Sequence, residues 1–394
     1  MTDRVVVLGA GYAGVGAVKS FQEAAPDGTE LVWVSEHDYH LVLHEVHRVI
    51  RDPAVESKVT VPVDEIRDDG TRFVRGHVAD VDVGDREVRL GDGSTVDYDY
   101  LLVGLGSATA FYGIEGLREH SLTLKSLDDA RAINSAVRDA AREAERDDPA
   151  QVVVGGAGLS GIQTAGEIAE WRDENNAPVE IKLVEGLDEV FPGNDPEIQG
   201  ALRTRIEAKG IEVLCGDFIS EVDAETVYLG GDDPADELAY DVLVWTGGIT
   251  GQEELRDVDL RTDDRSGRIE VASDFRTSDD RVFAIGDTAL VEQDDEVAPP
   301  TAQAAWDAAE VAGRNLARAV RGRPLRTWTY EDKGTLVSVG EEAVAHEVRV
   351  PGVAPLLPRT FGGPLAKALK KGVACRWIAD ASSLSRAAKA WDDM

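Results

Sequence analysis

The sequence predicts an α/β fold that contains two strand–turn–helix–strand units, each built on a parallel sheet. A glycine-rich turn of the form G-x-G-x-x-G occurs twice, over residues 9–14 and over residues 156–161. Each turn follows a short run of β-branched residues and precedes a helix-like stretch rich in Ala with Glu or Lys. One such turn arises by chance, but two copies in the same setting favour two nucleotide-binding units over two ordinary turns with coincidental glycines.

The first unit places Gly9, Gly11 and Gly14 directly after the apolar run at residues 5–8. A second apolar run ends at Glu36, which lies 22 residues after Gly14. This spacing matches the dinucleotide fingerprint. In that fingerprint the glycines let the backbone approach a pyrophosphate, the helix N-terminus stabilises its charge, and the acid accepts hydrogen bonds from ribose hydroxyls.

The second unit repeats the pattern with Gly156, Gly158 and Gly161, and its acid Glu185 lies 24 residues after Gly161. A carboxylate at Glu185 would repel the 2′-phosphate of NADPH, and the following residues 186–189 contain no cation. The sequence therefore predicts that this unit binds NADH in preference to NADPH.

Composition limits the class of protein. A chain of 394 residues predicts two or three domains, and neither a membrane-spanning helix nor a signal peptide is expected. The net charge of −34 argues against a nucleic-acid partner and is typical of cytosolic proteins that stay soluble in molar salt, where the Debye length is about 3 Å. The only cysteines, Cys215 and Cys375, form no C-x-x-C motif, so neither a thioredoxin-reductase-type dithiol nor a cysteine-ligated metal site is predicted.

Residues 128–147 predict a charged surface helix, and residues 230–234 predict a turn between two short strands. Two later motifs complete the pattern. A Tyr-Asp-x-Leu run that ends in glycine occurs over residues 98–107 and recurs over residues 240–248, and a strand-like run over residues 282–287 ends in Gly-Asp. On these motifs and the two glycine turns, the chain resembles the type II NADH dehydrogenases over nearly its whole length. These are single-subunit, non-pumping NADH:quinone oxidoreductases of the two-dinucleotide-binding-domain flavoprotein superfamily.

The resemblance implies two Rossmann-like dinucleotide-binding domains, with an NADH domain inserted in a discontinuous FAD domain. The expected boundaries are residues 1–123 and 249–325 for the FAD domain, 124–248 for the NADH domain, and 326–394 for a C-terminal domain. The residues implied to bind FAD or NADH are Gly9, Gly11, Tyr12, Ala13, Gly14, Glu36, Gly104, Gly106, Gly156, Gly158, Gly161, Glu185, Gly247, Gly286, Asp287, Ala302 and Gln303.

Three residues are candidates for catalysis. The resemblance places the helix that starts near Gln303 beside the isoalloxazine and the quinone, where its N-terminal partial charge would stabilise the anionic reduced flavin; a generic amphipathic helix is the alternative. Gln163 stands where the family usually has Glu, and an amide cannot carry a proton. Glu167, one helical turn further on, either substitutes for that acid or is a packing residue. Asp307 also departs from the family pattern of Gln or Glu, which affects the quinone contacts.

Residues 359–391 reverse the charge of the chain, with seven cations and one acid, Asp380. The cations are Arg359, Lys367, Lys370, Lys371, Arg376, Arg386 and Lys389. On one helix the apolar residues Leu365, Leu369, Val373, Trp377, Leu384 and Trp391 would share a face. Gly372 and Ser382–Ser383 are weak points, so two shorter helices are the alternative. This pattern predicts a membrane-associating segment on an anionic surface, peripheral and at the cytoplasmic face. Docking on the protein's own core, its acidic surface or a second subunit is the alternative, and a homodimer is expected. Removal of residues 359–394 is expected to release the protein from membranes and to spare NADH oxidation with a soluble acceptor better than quinone reduction.

The predicted function is hydride transfer from NADH to FAD and two-electron transfer to a membrane quinone, without proton pumping. Sulfide:quinone oxidoreductase, a soluble NADH-dependent ferredoxin or rubredoxin reductase, and a non-enzymatic NADH-binding redox sensor are the alternatives. The first of these needs a redox cysteine pair. Residues 37–47, with the histidines His37, His40, His44 and His47, are expected to be loop-like, and the resemblance places them near the flavin. A metal site is the alternative.

Overall fold

The computed structural model describes residues 3–230, 236–293, 297–349 and 358–394. Its α-helices are α1 (Tyr12–Ala24), α2 (Arg48–Arg51), α3 (Glu56–Val59), α4 (Leu117–His120), α5 (Leu127–Glu143), α6 (Leu159–Asn175), α7 (Pro196–Ala208), α8 (Ala302–Val320), α9 (Gly363–Ala381) and α10 (Leu384–Ala390). Its strands are β1 (Arg4–Leu8), β2 (Glu30–Ser35), β3 (Tyr39–Leu41), β4 (Thr60–Pro62), β5 (Thr71–Arg75), β6 (Val78–Asp82), β7 (Glu87–Leu90), β8 (Thr95–Asp97), β9 (Tyr100–Val103), β10 (Ala108–Thr109), β11 (Ala150–Gly155), β12 (Val179–Glu185), β13 (Ile211–Cys215), β14 (Ile219–Val222), β15 (Thr226–Leu229), β16 (Asp236–Ala239), β17 (Val242–Trp245), β18 (Ile249–Thr250), β19 (Ile269–Val271), β20 (Val282–Ala284), β21 (Ala289–Val291), β22 (Thr335–Val339), β23 (Glu342–His346) and β24 (Thr360–Gly362).

The first glycine turn follows β1, the central strand of a five-stranded parallel sheet with the order β20-β9-β1-β2-β5. The turn therefore lies where the strands of this sheet have their C-terminal ends. Strand β1 is buried on both faces, which is why its sequence is a continuous apolar run instead of an alternating one. Strand β20 follows the second unit in the sequence, yet it pairs with β9 of the first sheet. The first domain is therefore discontinuous, and the predicted fold class is confirmed; the exact boundary residues stay predictions.

The second unit is inserted between β9 and β20. Its four-stranded sheet is parallel and has the order β13-β12-β11-β17. The short antiparallel pair β10–β18 connects the two units, because β10 follows the first sheet and β18 follows β17. Both parallel sheets thus carry a glycine turn at the C-terminal end of their first strand.

Helices α1 and α8 pack closely because both carry small residues at the contact. A Cβ added to Gly16 would lie 2.6 Å from Cβ of Ala309, and one added to Gly313 would lie 2.1 Å from Oγ of Ser20. This close packing brings the N-termini of α1 and α8 to the same edge of the first sheet.

The C-terminal unit consists of the antiparallel sheet β22-β23-β24 followed by α9 and α10. The predicted break at Ser382–Ser383 is present, since the Ser383 side chain caps α10 by accepting from the backbone N–H of Arg386 at 3.2 Å. Gly372, the other expected weak point, lies inside an uninterrupted α9. No helix among the described residues is long and apolar enough to cross a membrane.

Two other local predictions can be compared with the structure. The charged helix expected over residues 128–147 is α5, which starts with a capping box between Ser126 and Asp129. The segment of residues 37–47, expected to be loop-like, contains the short strand β3 and a 3-10 turn at Leu43–Glu45. The turn predicted over residues 230–234 lies almost entirely outside the described residues.

Candidate active site

The first glycine turn is shaped so that only glycine fits. Gly9 has φ +94°, and a Cβ there would lie 2.3 Å from the carbonyl oxygen of Gly104. A Cβ on Gly14 would lie 1.9 Å from the carbonyl oxygen of Gly9. Helix α1 starts after Gly11 without a side-chain cap, so its first N–H groups are free to bind an anion. The structure therefore brings together four of the predicted FAD-binding glycines.

The second turn has the same construction. Gly156 has φ +91°, and a Cβ there would lie 2.6 Å from Cα of Gly247. A Cβ on Gly161 would lie 1.8 Å from the carbonyl oxygen of Gly156, and α6 also begins after a glycine, Gly158, without a side-chain cap. The residues present fit a pyrophosphate at both turns.

The two predicted ribose-binding acids differ in their surroundings. Glu185 is buried, and its oxygens accept the backbone N–H of Ala157 at 2.8 Å and of Leu187 at 3.0 Å. Glu36 is exposed at the end of β2, with His77 Nδ1 3.8 Å from its Oε2. Each carboxylate lies at the edge of its sheet that carries the glycine turn.

Gly286, with φ +72°, lies between the starts of α1 and α8. A Cβ at this position would lie 3.1 Å from Cβ of Ala13 and 3.6 Å from Cβ of Ala305. The Gly-Asp motif is therefore adjacent to the first glycine turn, as the implied FAD site requires.

Asp287 belongs to a hydrogen-bonded cluster of polar side chains, of which the sequence predicted only Asp287 as a site residue. Its Oδ2 accepts a hydrogen bond from Ser107 Oγ at 3.1 Å, and Ser107 accepts one from Lys125 Nζ at 3.1 Å. Thr288 Oγ1 donates to the carbonyl of Gly106 at 2.7 Å. Burial lowers the pKa of Lys125, and Asp287 opposes that shift. No local motif marks Lys125, which lies just before the start of α5.

Helix α8 begins at Ala302 with Thr301 as its N-cap, whose Oγ1 accepts from the N–H of Ala304 at 3.2 Å. The side chain of Gln303 donates to the carbonyl of Glu331 at 3.0 Å. Gln303 is thus held by the loop before β22. Asp307, one turn further on, is ion-paired with Lys333.

A buried charged cluster lies next to the first turn. Glu45 has no exposed surface, and its carboxylate accepts from Lys370 Nζ and from Arg48 Nε, both at 2.6 Å. Burial favours the neutral acid, but the charges of Lys370 and Arg48 outweigh it and hold the pKa of Glu45 well below its usual range. Sequence reasoning missed this cluster because Lys370 lies 325 residues from Glu45.

Glu167 extends the cluster towards the surface. It is 0% exposed, with Arg51 Nε 3.1 Å and Arg48 Nη1 3.8 Å from its oxygens. These contacts are poorly aligned, and neither oxygen accepts a hydrogen bond from the described residues. Burial raises the pKa of Glu167 to about 7, against the opposing attraction of Arg51 and Arg48. Arg51 also pairs at 2.6 Å with Glu341, which is half-exposed.

Gln163 lies in the same cluster. With its amide oriented to match donors with acceptors, the side-chain oxygen accepts from Lys370 Nζ at 3.2 Å and from Ser338 Oγ at 3.1 Å, and the nitrogen donates to the carbonyl of Leu159 at 3.3 Å. Of the three candidates for catalysis, Gln163 and Glu167 are therefore brought together, whereas Gln303 has separate contacts.

Residues 3–309 match the family model described as pyridine nucleotide-disulphide oxidoreductase. The chain belongs to this family. Two curated relatives are the type II NADH:quinone oxidoreductases of Staphylococcus aureus (strain MSSA476), 27% identical over 401 residues, and of Staphylococcus saprophyticus, 26% identical over 392 residues. Each alignment covers 95% of both chains.

The fold of this chain is similar to that of several solved structures. The NDH2 of Plasmodium falciparum in complex with NADH has a TM-score of 0.82 at 15% identity, over 99% of this chain and 98% of that chain. The sulfide:quinone oxidoreductase of Aquifex aeolicus has a TM-score of 0.78 at 15% identity, over 96% and 91%. The predicted resemblance and fold class are confirmed.

The predicted single apolar face of the C-terminal segment was wrong. Trp377 is 2% exposed and packs against the protein core, whereas Leu365, Val373, Leu384 and Trp391 are exposed. A single shared face requires one continuous helix, but the chain breaks after α9 at the predicted weak point Ser382–Ser383, and α10 is a separate helix. Residues four apart also drift by about 40° per step around a helix with 3.6 residues per turn, so Trp377 lies on a different side from Leu365.

Three cations of residues 359–391 are buried or paired with acids of the protein, unlike the cations of a membrane-binding surface. Lys370 is buried, so its prediction as a membrane-facing charge was wrong. Arg386 pairs with Glu65 at 2.5 Å, and Arg359 pairs with Asp195 at 2.9 Å. For these residues the structure favours the alternative, docking of the segment on the protein's own acids.

Proposed function

We propose that this chain is an FAD-dependent NADH:quinone oxidoreductase of the type II class, which does not pump protons. Two observations carry the proposal. The chain has two glycine turns that fit a pyrophosphate, at residues 9–14 (the first cradle) and 156–161 (the second cradle). It is also similar over 95% of its length to type II NADH:quinone oxidoreductases. When bound, FAD would supply the redox chemistry, namely uptake of a hydride from NADH and delivery of two electrons to a quinone. The chain supplies the placement of both nucleotides and the proton that the quinone requires.

The first cradle holds FAD. The free N–H groups at the start of α1 bind the pyrophosphate, Glu36 binds the ribose, and Asp287 with its Ser107 partner holds the ribityl region. Ala302 and Gln303 place the positive N-terminal end of α8 at the isoalloxazine, where it stabilises developing negative charge.

The second cradle holds NADH. Each Glu185 oxygen accepts one backbone N–H and keeps a lone pair, so the carboxylate can also accept hydrogen bonds from ribose hydroxyls. Its charge disfavours a 2′-phosphate. NADH is therefore the preferred reductant.

Glu167 is proposed to hold the proton that quinone reduction takes up. Conversion of NADH and a quinone to NAD⁺ and a quinol consumes one proton, and Gln163 cannot supply it. A carboxyl group with a pKa of about 7 is half protonated at neutral pH. The charged side chains from half-exposed Glu341 through Arg51, Glu167 and Arg48 to Glu45 and Lys370 form a polar path from the surface to the interior.

The enzyme is proposed to lie on the cytoplasmic face of the membrane as a peripheral homodimer. Support comes from the exposed apolar side chains of α9 and α10, of which Leu384 is 81% exposed. Co-sedimentation with anionic vesicles tests the membrane contact, and analytical ultracentrifugation tests the dimer. A protein that stays in solution with vesicles would contradict the membrane proposal.

Anaerobic assays distinguish this function from the alternatives. NADH should reduce the enzyme-bound FAD, and a menaquinone analogue should reoxidise it. Sulfide should not reduce the flavin, because Cys215 in β13 and Cys375 in α9 lie in different units and form no disulfide. Flavin that is reduced by NADH but never reoxidised by quinone would instead support a redox sensor.

A further inference from the structure

Trp377 in the C-terminal helix α9 is hydrogen-bonded through His40 to the backbone of the first glycine turn. Its indole Nε1 donates to His40 Nε2 at 2.6 Å, and His40 Nδ1 donates to the carbonyl of Ala10 at 2.8 Å. Because Nε2 accepts the indole proton, the single ring proton of neutral His40 must be on Nδ1. Burial lowers the pKa of His40 to about 4, so this tautomer persists through the neutral range.

The Trp377 ring also contacts two other elements of the FAD site. Its centroid lies 4.8 Å from that of Tyr12, the first residue of α1, and 4.3 Å from that of Trp306, in the first turns of α8. One buried side chain of α9 therefore touches the glycine turn through His40 and both helices whose N-termini face the cofactor.

Comparison of the two turns shows why this contact matters. Ala10 in the first turn corresponds to Ala157 in the second, since each is the second residue of its Gly-Ala-Gly sequence. The carbonyl of Ala157 accepts the backbone N–H of Phe191 at 2.8 Å, a contact within the second unit. The carbonyl of Ala10 is held by a side chain that itself depends on the C-terminal helix. The carbonyl of Ala157 is thus held within its own unit, whereas the support of the Ala10 carbonyl continues through His40 to the C-terminal unit.

We propose that Trp377 is a positioning residue for FAD, which acts through His40 to fix the first glycine turn. The inference rests on the proposal that this turn binds FAD. A turn flanked by two glycines has many alternative conformations, and fixing one of them reduces the entropy lost on cofactor binding. The C-terminal helix is thus part of the FAD site as well as a surface element. Removal of residues 359–394 should accordingly release FAD and abolish NADH oxidation with every acceptor, contrary to the expectation from the sequence.

The test compares variants of the full-length holoenzyme. The dissociation constant of FAD is measured on dilution, from the recovery of free-flavin fluorescence. Trp377→Phe keeps an aromatic ring but leaves His40 Nε2 without its buried donor, and we expect FAD to bind about tenfold more weakly, which is about 1.4 kcal/mol. The dissociation constant of NADH should stay within about twofold of wild type, because the second turn is held locally.

Trp328→Phe is the matched control, because Trp328 is also buried but packs on Phe275, away from the turn. It should lower the melting temperature without weakening FAD binding. Equal weakening of FAD binding in the two variants, or none in Trp377→Phe, would overturn the inference. A wild-type protein that binds no FAD would instead refute the proposed function.

A second pair of variants applies if Trp377→Phe does not fold. His40→Asn places an amide nitrogen near the position of Nδ1 and can still donate to Ala10, whereas His40→Gln reaches only towards Trp377. We expect His40→Gln to release FAD more readily than His40→Asn. The opposite order, or no difference, would overturn the inference.

Discussion

Replacement of Glu167 by Gln tests the buried charged cluster directly. The pKa of Glu167 is raised from 4.5 to about 7, because burial penalises the carboxylate more than Arg51 and Arg48 stabilise it. Each pKa unit is worth about 1.4 kcal/mol, so this difference corresponds to roughly 3 kcal/mol. The sign follows from the higher pKa in the folded state. Protonation of Glu167 favours folding, and this stabilisation is complete below pH 4.5 and is lost as the pH rises through about 7.

Gln is neutral at every pH, so the Glu167→Gln variant does not lose stability from this group as the pH rises. The free energy of unfolding of the variant, relative to wild type, should increase by roughly 3 kcal/mol between acidic and mildly alkaline pH. The assay is equilibrium unfolding in denaturant at several pH values and constant salt. Glu170→Gln, on the same helix, controls for the loss of a carboxylate from α6. A difference between Glu167→Gln and wild type that does not change with pH would refute the reasoning.

The same variant tests the proposed proton supply. Loss of a group that transfers a proton typically lowers a rate by about 100-fold or more, so kcat for quinone reduction should fall by about that factor. Ferricyanide accepts electrons without protons, and its reduction by NADH should be retained. Equal loss with both acceptors would indicate that Glu167 has a structural role instead.

Three other perturbations have expected outcomes. Gly14→Ala places a Cβ 1.9 Å from the Gly9 carbonyl oxygen and should yield folded protein without bound FAD, seen as a loss of visible absorbance; retention of the flavin would contradict the fit of the first turn. Lys370→Met leaves Glu45 buried and without its ammonium partner and should lower the free energy of unfolding by about 3–5 kcal/mol, measured by denaturant titration, with exposed Lys389→Met as the control. Dilution from molar KCl into low salt should unfold the protein, followed by circular dichroism, because self-repulsion of a chain with net charge −34 is then unscreened; an unchanged spectrum would count against adaptation to high salt.

The sequence predicted the features that depend on neighbouring residues. A strand, a glycine turn and a helix follow one another along the chain, so the cradles at Gly9 and Gly156 could be recognised from local order alone. The matching closing strands β9 and β17 were marked by their repeated Tyr-Asp pattern.

Features that depend on distant contacts were not predicted. Lys370 was counted as a surface cation because its neighbours in sequence are basic, and its partner Glu45 lies 325 residues away. Trp377 was assigned to an exposed face because periodicity shows which residues share a side of a helix but not what covers that side. Only the fold shows that Trp377 contacts His40, which in turn contacts Ala10.

Anaerobic stopped-flow mixing of the FAD-loaded protein with NADH, followed by a menaquinone analogue, tests the central claim most directly. The paired cradles predict that the visible flavin absorbance disappears with NADH and returns with the quinone. A protein that stays colourless after reconstitution with FAD, or a bound flavin that NADH does not reduce, would contradict the claim that one chain holds both nucleotides for electron transfer.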